Sequence, residues 1–296
     1  MRNELPLQGP CVLVSTDSVG LGGDPRRIGE IYENVPQARI NGQIALEVLA
    51  WKWIPRFLDD LEEQYHVVGF HGQVGYSPRP PAIERAKEVL FNQSMIPIQA
   101  LFALAQQEQA AYVLLHESAA KRLLSQPNGN HKKKSDSLPE PLLMVENIPQ
   151  KGSLLRTANL AKTLHRQQPR PVGMMIDVAH ALAELPPLPS YPEKKQIQQH
   201  WDHVMFWLES ILPNLDIIGF HLPIGTTDNV PYNLEKNDWE KLGQKIQTYS
   251  QKVRFLVIEN QHAFTQFRLR ARHAPIISSR TRRILDKVEA AGVLPH

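Results

Sequence analysis

The chain has 296 residues, 42% of them hydrophobic, and a formal net charge of +3. That is enough apolar material for one large core, and an α/β barrel of roughly 250 residues with some decoration is the natural size match. The charge is too mild to point to nucleic acid, though it would not repel a phosphorylated substrate, and no apolar run reaches the roughly 18 residues that a membrane helix needs.

Eight apolar runs alternate with helical stretches, the βαβ pattern. The first is CVLVST at 11–16. The sole cysteine, Cys11, lies inside it and cannot form an internal disulfide. Together with an N-terminus that lacks the apolar stretch of a signal peptide, this suits a reducing cytoplasm. A Gly-rich turn and a helix near 25–34 follow; Gly20, Gly22 and Gly23 lack the spacing of a nucleotide fingerprint. QIALEVLA at 43–50 reads as strand two, with helix as the competing reading. A short helix carrying Phe57, Leu58 and Leu61 leads to strand three, HVVGFH at 66–71, and a helical region spans about 82–109. Strands four to six are YVLLH at 112–116, LLMVE at 142–146 and VGMMID at 172–177. A helix over about 194–212 precedes strand seven, DIIGFH at 216–221. Another near 235–251 precedes strand eight, FLVIE at 255–259, and a last helix at about 277–291 closes the ring. The fold expected is a single-domain (β/α)8 barrel over residues 1–296. Within it, the polar segment 125–141, with three consecutive lysines, reads as a mobile loop.

Six of these runs end in a group that can bind a metal: His71, His116, Glu146, Asp177 with His180 three residues on, His221 and Glu259. In a parallel barrel all strand C-termini emerge on one face, so ligands far apart in sequence converge without a local motif. Carboxylates and imidazoles suit Mn²⁺, Co²⁺, Zn²⁺ or Fe²⁺, and the lack of clustered thiolates disfavours a structural zinc knuckle. A carboxylate at a barrel mouth is costly to bury without a cation or a donor. A single histidine at a strand end, as His71 or His116 taken alone, also suits a hydrogen-bonded core residue. Asn147 and Asn260, each after a Glu, suit either support of a ligand or local turn chemistry.

The motifs FHGQVG, LLHES, LMVENIP, MIDVAHAL, GFHLPIGTTDN and LVIEN resemble those of the xylose-isomerase-like TIM-barrel superfamily. That superfamily includes sugar and sugar-phosphate isomerases and epimerases and the type IV apurinic endonucleases. Resemblance to the epimerase branch implies one divalent metal held by Glu146, Asp177, His221 and Glu259, with His180 binding substrate. Resemblance to the endonuclease branch implies a multinuclear site that also recruits His71 and His116. That branch needs an Asp-x-His pair after strand seven, and here Asp228 has no histidine following it. Leu222, Pro223 and Ile224 also replace its Asn-Asp-Ser motif. Iron oxygenases on the same scaffold carry the same pair, so its absence counts against them as well.

The function expected is therefore a metal-dependent isomerase or epimerase acting on a sugar, a sugar phosphate or a related hydroxy-carbonyl compound through an enediolate. Glu146 and Glu259 are the acid–base pair, and His180 orients a hydroxyl. A phosphodiesterase or an oxygenase is the alternative. Gln73, Arg79, Trp51 and Trp53 are candidate substrate contacts, as are Arg268 and Arg270 in the basic stretch running to Arg272 and His273. Loops near strands seven and eight often receive phosphate. Resemblance to the isomerases further implies a homo-oligomer.

Overall fold

The eight apolar runs form eight strands: β1 (Cys11–Ser15), β2 (Gln43–Leu49), β3 (Tyr65–His71), β4 (Tyr112–His116), β5 (Leu142–Glu146), β6 (Val172–Asp177), β7 (Ile218–Pro223) and β8 (Val253–Glu259). This computed structural model describes residues 10–15, 36–52, 54–55, 58, 65–72, 89, 92–125, 139–186, 188, 193–224, 234–259 and 274–294. Each strand from β2 to β8 is hydrogen-bonded in parallel to the next. β1 joins β8 on one side and β2 on the other, which closes the ring into a (β/α)8 barrel. A two-residue strand, Arg39–Ile40, adds an antiparallel fringe to β2. Strand two is a strand, as β-branched and apolar density on a fully buried segment favours. Strand seven starts two residues later than the apolar run, at Ile218, and extends to Pro223.

Among the described residues the helices are α1 (Ile98–Gln107), α2 (Glu117–Ser125), α3 (Ser153–Gln167), α4 (Val178–Ala183), α5 (Lys194–Ile211), α6 (Lys236–Thr248) and α7 (Ala274–Ala290). The helical region expected over about 82–109 is interrupted at Met95–Pro97. Met95 bridges to Trp51, the Ile96 N–H donates to the Ala50 carbonyl, and α1 starts after Pro97. Pro97 has no N–H to give a preceding turn and pushes Ile96 out of the helical region. Leu58 is helical and buried, whereas Phe57, Leu61 and the helix expected near 25–34 lie outside the described residues. Of the expected loop 125–141, Ser125 closes α2 and residues 139–141 lead into β5; the remainder is also outside them.

Alternation along the strands sorts the core into two layers. Leu13, Ala45, Val68, Tyr112, Leu114, Met144, Met175, Phe255 and Val257 fill the barrel interior. Their neighbours, such as Val12, Leu46, Val113, Val145, Ile176 and Leu256, belong to the larger cluster between strands and helices. The interior is tight enough that a Cβ on Gly219 would sit 2.6 Å from Met175 Sδ, so only a glycine admits that methionine.

Candidate metal centre

The inner-facing rows run Tyr112–Leu114–His116, Met144–Glu146, Met175–Asp177 and Phe255–Val257–Glu259. Each apolar column thus ends, by the two-residue period alone, in a polar group at the C-terminal mouth. Register keeps the ends level, with His116 opposite Glu146 and Asp177 opposite His221. Glu47, His71, His116, Glu146, Asp177, His180, His221 and Glu259 are all buried, the most open being His180 at 8%.

Glu146 is the hub. Its Oε2 lies 3.2 Å from His71 Nε2 and 3.0 Å from His116 Nε2. Its Oε1 lies 3.2 Å from His221 Nδ1 and 3.7 Å from His180 Nδ1. Glu259 Oε1 meets the same His221 Nδ1 at 3.2 Å. Asp177 caps α4, its Oδ1 accepting the His180 N–H at 2.9 Å. Asn147 ties the ends of β5 and β6 together. Its Nδ2 donates to the Asp177 carbonyl at 3.0 Å, and its Oδ1 accepts the Asp177 N–H at 2.9 Å. The Asn147 carbonyl also lies 2.8 Å from His180 Nδ1. A carbonyl can only accept, so that contact makes Nδ1 the protonated nitrogen and leaves the Nε2 lone pair to face a ligand or a hydroxyl.

One member of the cluster was missed because it is not a strand end. Glu47, fully buried on β2, accepts from Tyr112 Oη at 2.6 Å and lies 3.2 Å from His221 Nε2. Burial alone would raise its carboxyl, but His221 and His71 outweigh that and bring it to about 2. As a carboxylate it can only accept, so His221 Nε2 is the donor, and Nδ1 faces Glu146 and Glu259. Against burial, those two carboxylates and Glu47 raise the ring's pKa well above its ordinary value, so Nδ1 offers a lone pair only once its proton leaves. Burial works against a charge on His71 too, yet Glu146 and Glu47 raise it to about 10. His116 goes the other way: burial outweighs Glu146 and lowers its pKa. Glu146 is held well below the carboxylate range by His116, His221 and His71 against the effect of burial. The signal for Glu47 was in the sequence: Ala45 and Glu47 share the parity of the inward rows.

The donor set fits a divalent cation. Glu47 Oε1, both His71 nitrogens, Glu146 Oε2 and His221 Nδ1 are buried with no well-formed hydrogen bond, facing one another only in imidazole–carboxylate contacts of 3.0–3.5 Å, and a cation would satisfy them with better geometry. Three groupings place one ligand atom per residue within 4.8 Å of the others: His71–His116–Glu146, Glu47–His71–Glu259 and Glu146–Asp177–His221. Three members of the expected quartet thus stand together, while Glu259 groups with Glu47 and His71. Of the expected second set, His71 and His116 converge on Glu146; His180 lies on the Asp177 side, its ring 5.9 Å from that of His116. Trp51 is packed in the outer apolar core, bridged to Met95. Gln73, Arg268 and Arg270 lie outside the described residues, as do Trp53, Arg79, Asp228 and Asn260.

No family model matches the chain, and no curated protein matches it. Among solved structures, it is similar to a xylose isomerase domain-containing protein from Salmonella typhimurium LT2, with 13% identity and a TM-score of 0.49 over 94% of this chain and 97% of that one. It is also similar to a D-psicose 3-epimerase from Clostridium cellulolyticum H10, with 11% identity and a TM-score of 0.45 over 95% and 99% of the two chains. A third is active domain 2 of a thermostable chitinase from Pyrococcus furiosus, with 14% identity and a TM-score of 0.43 over 86% of each chain. The strand order and ring closure described above are what identify the chain as a (β/α)8 barrel.

Proposed function

We propose that the chain is a divalent-metal-dependent isomerase or epimerase of a sugar, a sugar phosphate or a related hydroxy-carbonyl compound, working through an enediolate. The observation that carries this reading is the convergence of four buried carboxylates and four imidazoles, several of their atoms unsatisfied, at the C-terminal mouth of the barrel. Glu146, Asp177, His221 and Glu259 would hold the cation, which would supply Lewis acidity at a carbonyl and its neighbouring hydroxyl. Glu259, more open than Glu146, takes the α-proton. Glu146, the other carboxylate at His221 Nδ1, is the second proton-handling group that an epimerase needs. His180, with Nδ1 fixed on the Asn147 carbonyl, orients a hydroxyl. The surrounding apolar strands keep bulk water from the intermediate.

The test is solvent exchange. The metal-loaded protein is incubated in deuterium oxide with a panel of ketoses, aldoses and their phosphates. Deuterium entering the α-carbon, abolished by chelator and restored by metal, supports the reading. No exchange with any member of the panel removes it. A second reading is favoured by the approach of both His71 and His116 to Glu146: a multinuclear phosphodiesterase, or an iron oxygenase on the same ligands. Chelator-sensitive nicking of an abasic duplex, lost in His116→Ala, supports the former, and metal-dependent oxygen consumption supports the latter.

A further inference from the structure

Glu47 has no part in the quartet, yet it is fully buried within the cluster. It sits at an irregularity in the ladder: Leu46 pairs with Val67 but Glu47 pairs with Gly69, and such irregularities re-aim side chains beside functional sites. One of its oxygens is committed, Oε2 receiving Tyr112 Oη at 2.6 Å and lying 3.2 Å from His221 Nε2. The other, Oε1, is buried with no hydrogen-bond partner and lies 3.5 Å from His71 Nδ1, which has none either. Glu259 offers a third ligand atom within 4.8 Å of those from Glu47 and His71.

We propose that Glu47, His71 and Glu259 form a second divalent-cation position on the β2–β3–β8 side of the cavity, with Glu259 shared between it and the position built on Glu146, Asp177 and His221. This rests on reading the cluster as a metal centre, and three observations carry it further. The first is charge. Glu47, Glu146, Asp177 and Glu259 are four buried carboxylates, more than one divalent cation offsets, and a second ion would stand where His71 otherwise makes ion-pair contacts with Glu47 and Glu146. The second is partition. A second ion on His71, His116 and Glu146 would share Glu146 with the first position and leave Glu47 without a cation. The Glu47 trio shares only Glu259 with the quartet and gives the buried Glu47 carboxylate an ion of its own. The third is preorganisation. Tyr112 and His221 hold Oε2, so Oε1 is aimed before any ion arrives.

The probe is cobalt(II) alone, added to chelator-stripped full chain and followed by calorimetric titration and by elemental analysis after desalting. The wild type should take up two ions per chain. Glu47→Gln should take up one, its affinity within about tenfold of wild type, while the second site weakens by roughly 100-fold or more. His116→Ala should keep both ions. If Glu47→Gln binds two ions as tightly as the wild type, or if His116→Ala loses an ion that Glu47→Gln keeps, the inference is overturned. If Glu47 merely orients His221, Glu47→Gln loses the ion that depends on Asp177, and adding Asp177→Asn changes nothing more; that too overturns it. Should Glu47→Gln not fold, Asp177→Asn alone decides: one ion retained supports the second position, and none retained overturns it. A wild type that binds a single ion removes this inference and leaves the proposed function standing, whereas one that binds none removes both.

Discussion

Replacing Gly69 with alanine is expected to loosen the barrel beneath the polar cluster. Gly69 is the register partner of Tyr112, and a Cβ there would fall 2.5 Å from Tyr112 Cε1 and Cε2 and nearer still to Cζ. The ring cannot simply slide away, because Phe255 packs on it with centroids 4.5 Å apart. Nor can it tilt without withdrawing its hydroxyl from Glu47. Overpacking of this kind costs about 1–3 kcal/mol. Loss of a hydrogen bond to a charged acceptor costs about 1.5–3 kcal/mol more, so about 2.5–6 kcal/mol is at stake. Taking about 2.1 cal/mol/K of unfolding entropy per residue over 296 residues, that lowers Tm by about 4–10 °C. The assay is thermal unfolding by circular dichroism in chelator, which keeps metal out of the comparison. Tyr112→Leu removes the obstructing ring, so Gly69→Ala should cost about 1–3 kcal/mol less in that background. A Gly69→Ala protein melting within about 1 °C of wild type, or costs that simply add in the double variant, would show that Tyr112 does not fill the space over Gly69.

Glu184 is buried on the turn after α4, accepting the Leu154 N–H, and burial raises its carboxyl to about 7 against the hydrogen bonds that oppose the shift. A raised folded pKa favours the protonated form, so its contribution is present below the usual value near 4.5 and lost as pH rises through about 7. Glu184→Gln should match wild type in melting at pH 4.5 and exceed it by about 1–3 kcal/mol at pH 8; equal melting at both refutes this. Metal uptake should release protons at pH 7.5, because His71 is protonated in the metal-free centre and must bind as the neutral ring. Calorimetric heats should therefore vary with the ionisation enthalpy of the buffer, and buffer-independent heats contradict the assignment. His71's contribution to the metal-free fold is likewise full below about 6.5 and fades as pH rises through about 10, while metal affinity grows over the same span. Asn147→Ala removes the clamp on Asp177 and should weaken metal binding about 10–100-fold, with Asn147→Asp a poor rescue because it lacks the donated Nδ2 hydrogen; unchanged affinity in Asn147→Ala counts against the clamp. Chelation should lower Tm in proportion to the logarithm of the free metal removed, and metal should restore it.

The barrel was legible because parallel strands buried on both faces read as continuous apolar runs, and runs such as YVLLH, LLMVE and VGMMID stop where their polar ends reach the mouth. Their carboxylates and imidazoles announced the cluster for the same reason. Glu47 escaped notice because it lies two residues before the end of β2, where the informative pattern is parity with Ala45 rather than termination. The break at Met95–Pro97 was also written in the chain, in the proline, but the apolar density on either side masked it. The division of ligands into groupings was not legible at all. Glu259 groups with Glu47 and His71, which come from β2 and β3, and no strand carries that information alone.

The barrel closes on a short edge. β1 meets β2 through Val14↔Leu46 and Ser15↔Glu47, whereas β2 runs alongside β3 from Ile44↔Tyr65 to Leu49↔His71. Glu47 belongs to that short edge, and Glu259 ends β8, the strand on the opposite flank of β1. An ion held between these two carboxylates would therefore work as a staple across the seam of the ring. Loading that second position would then set how often the seam breathes, so that one ion would serve the chemistry and its neighbour the closure of the barrel.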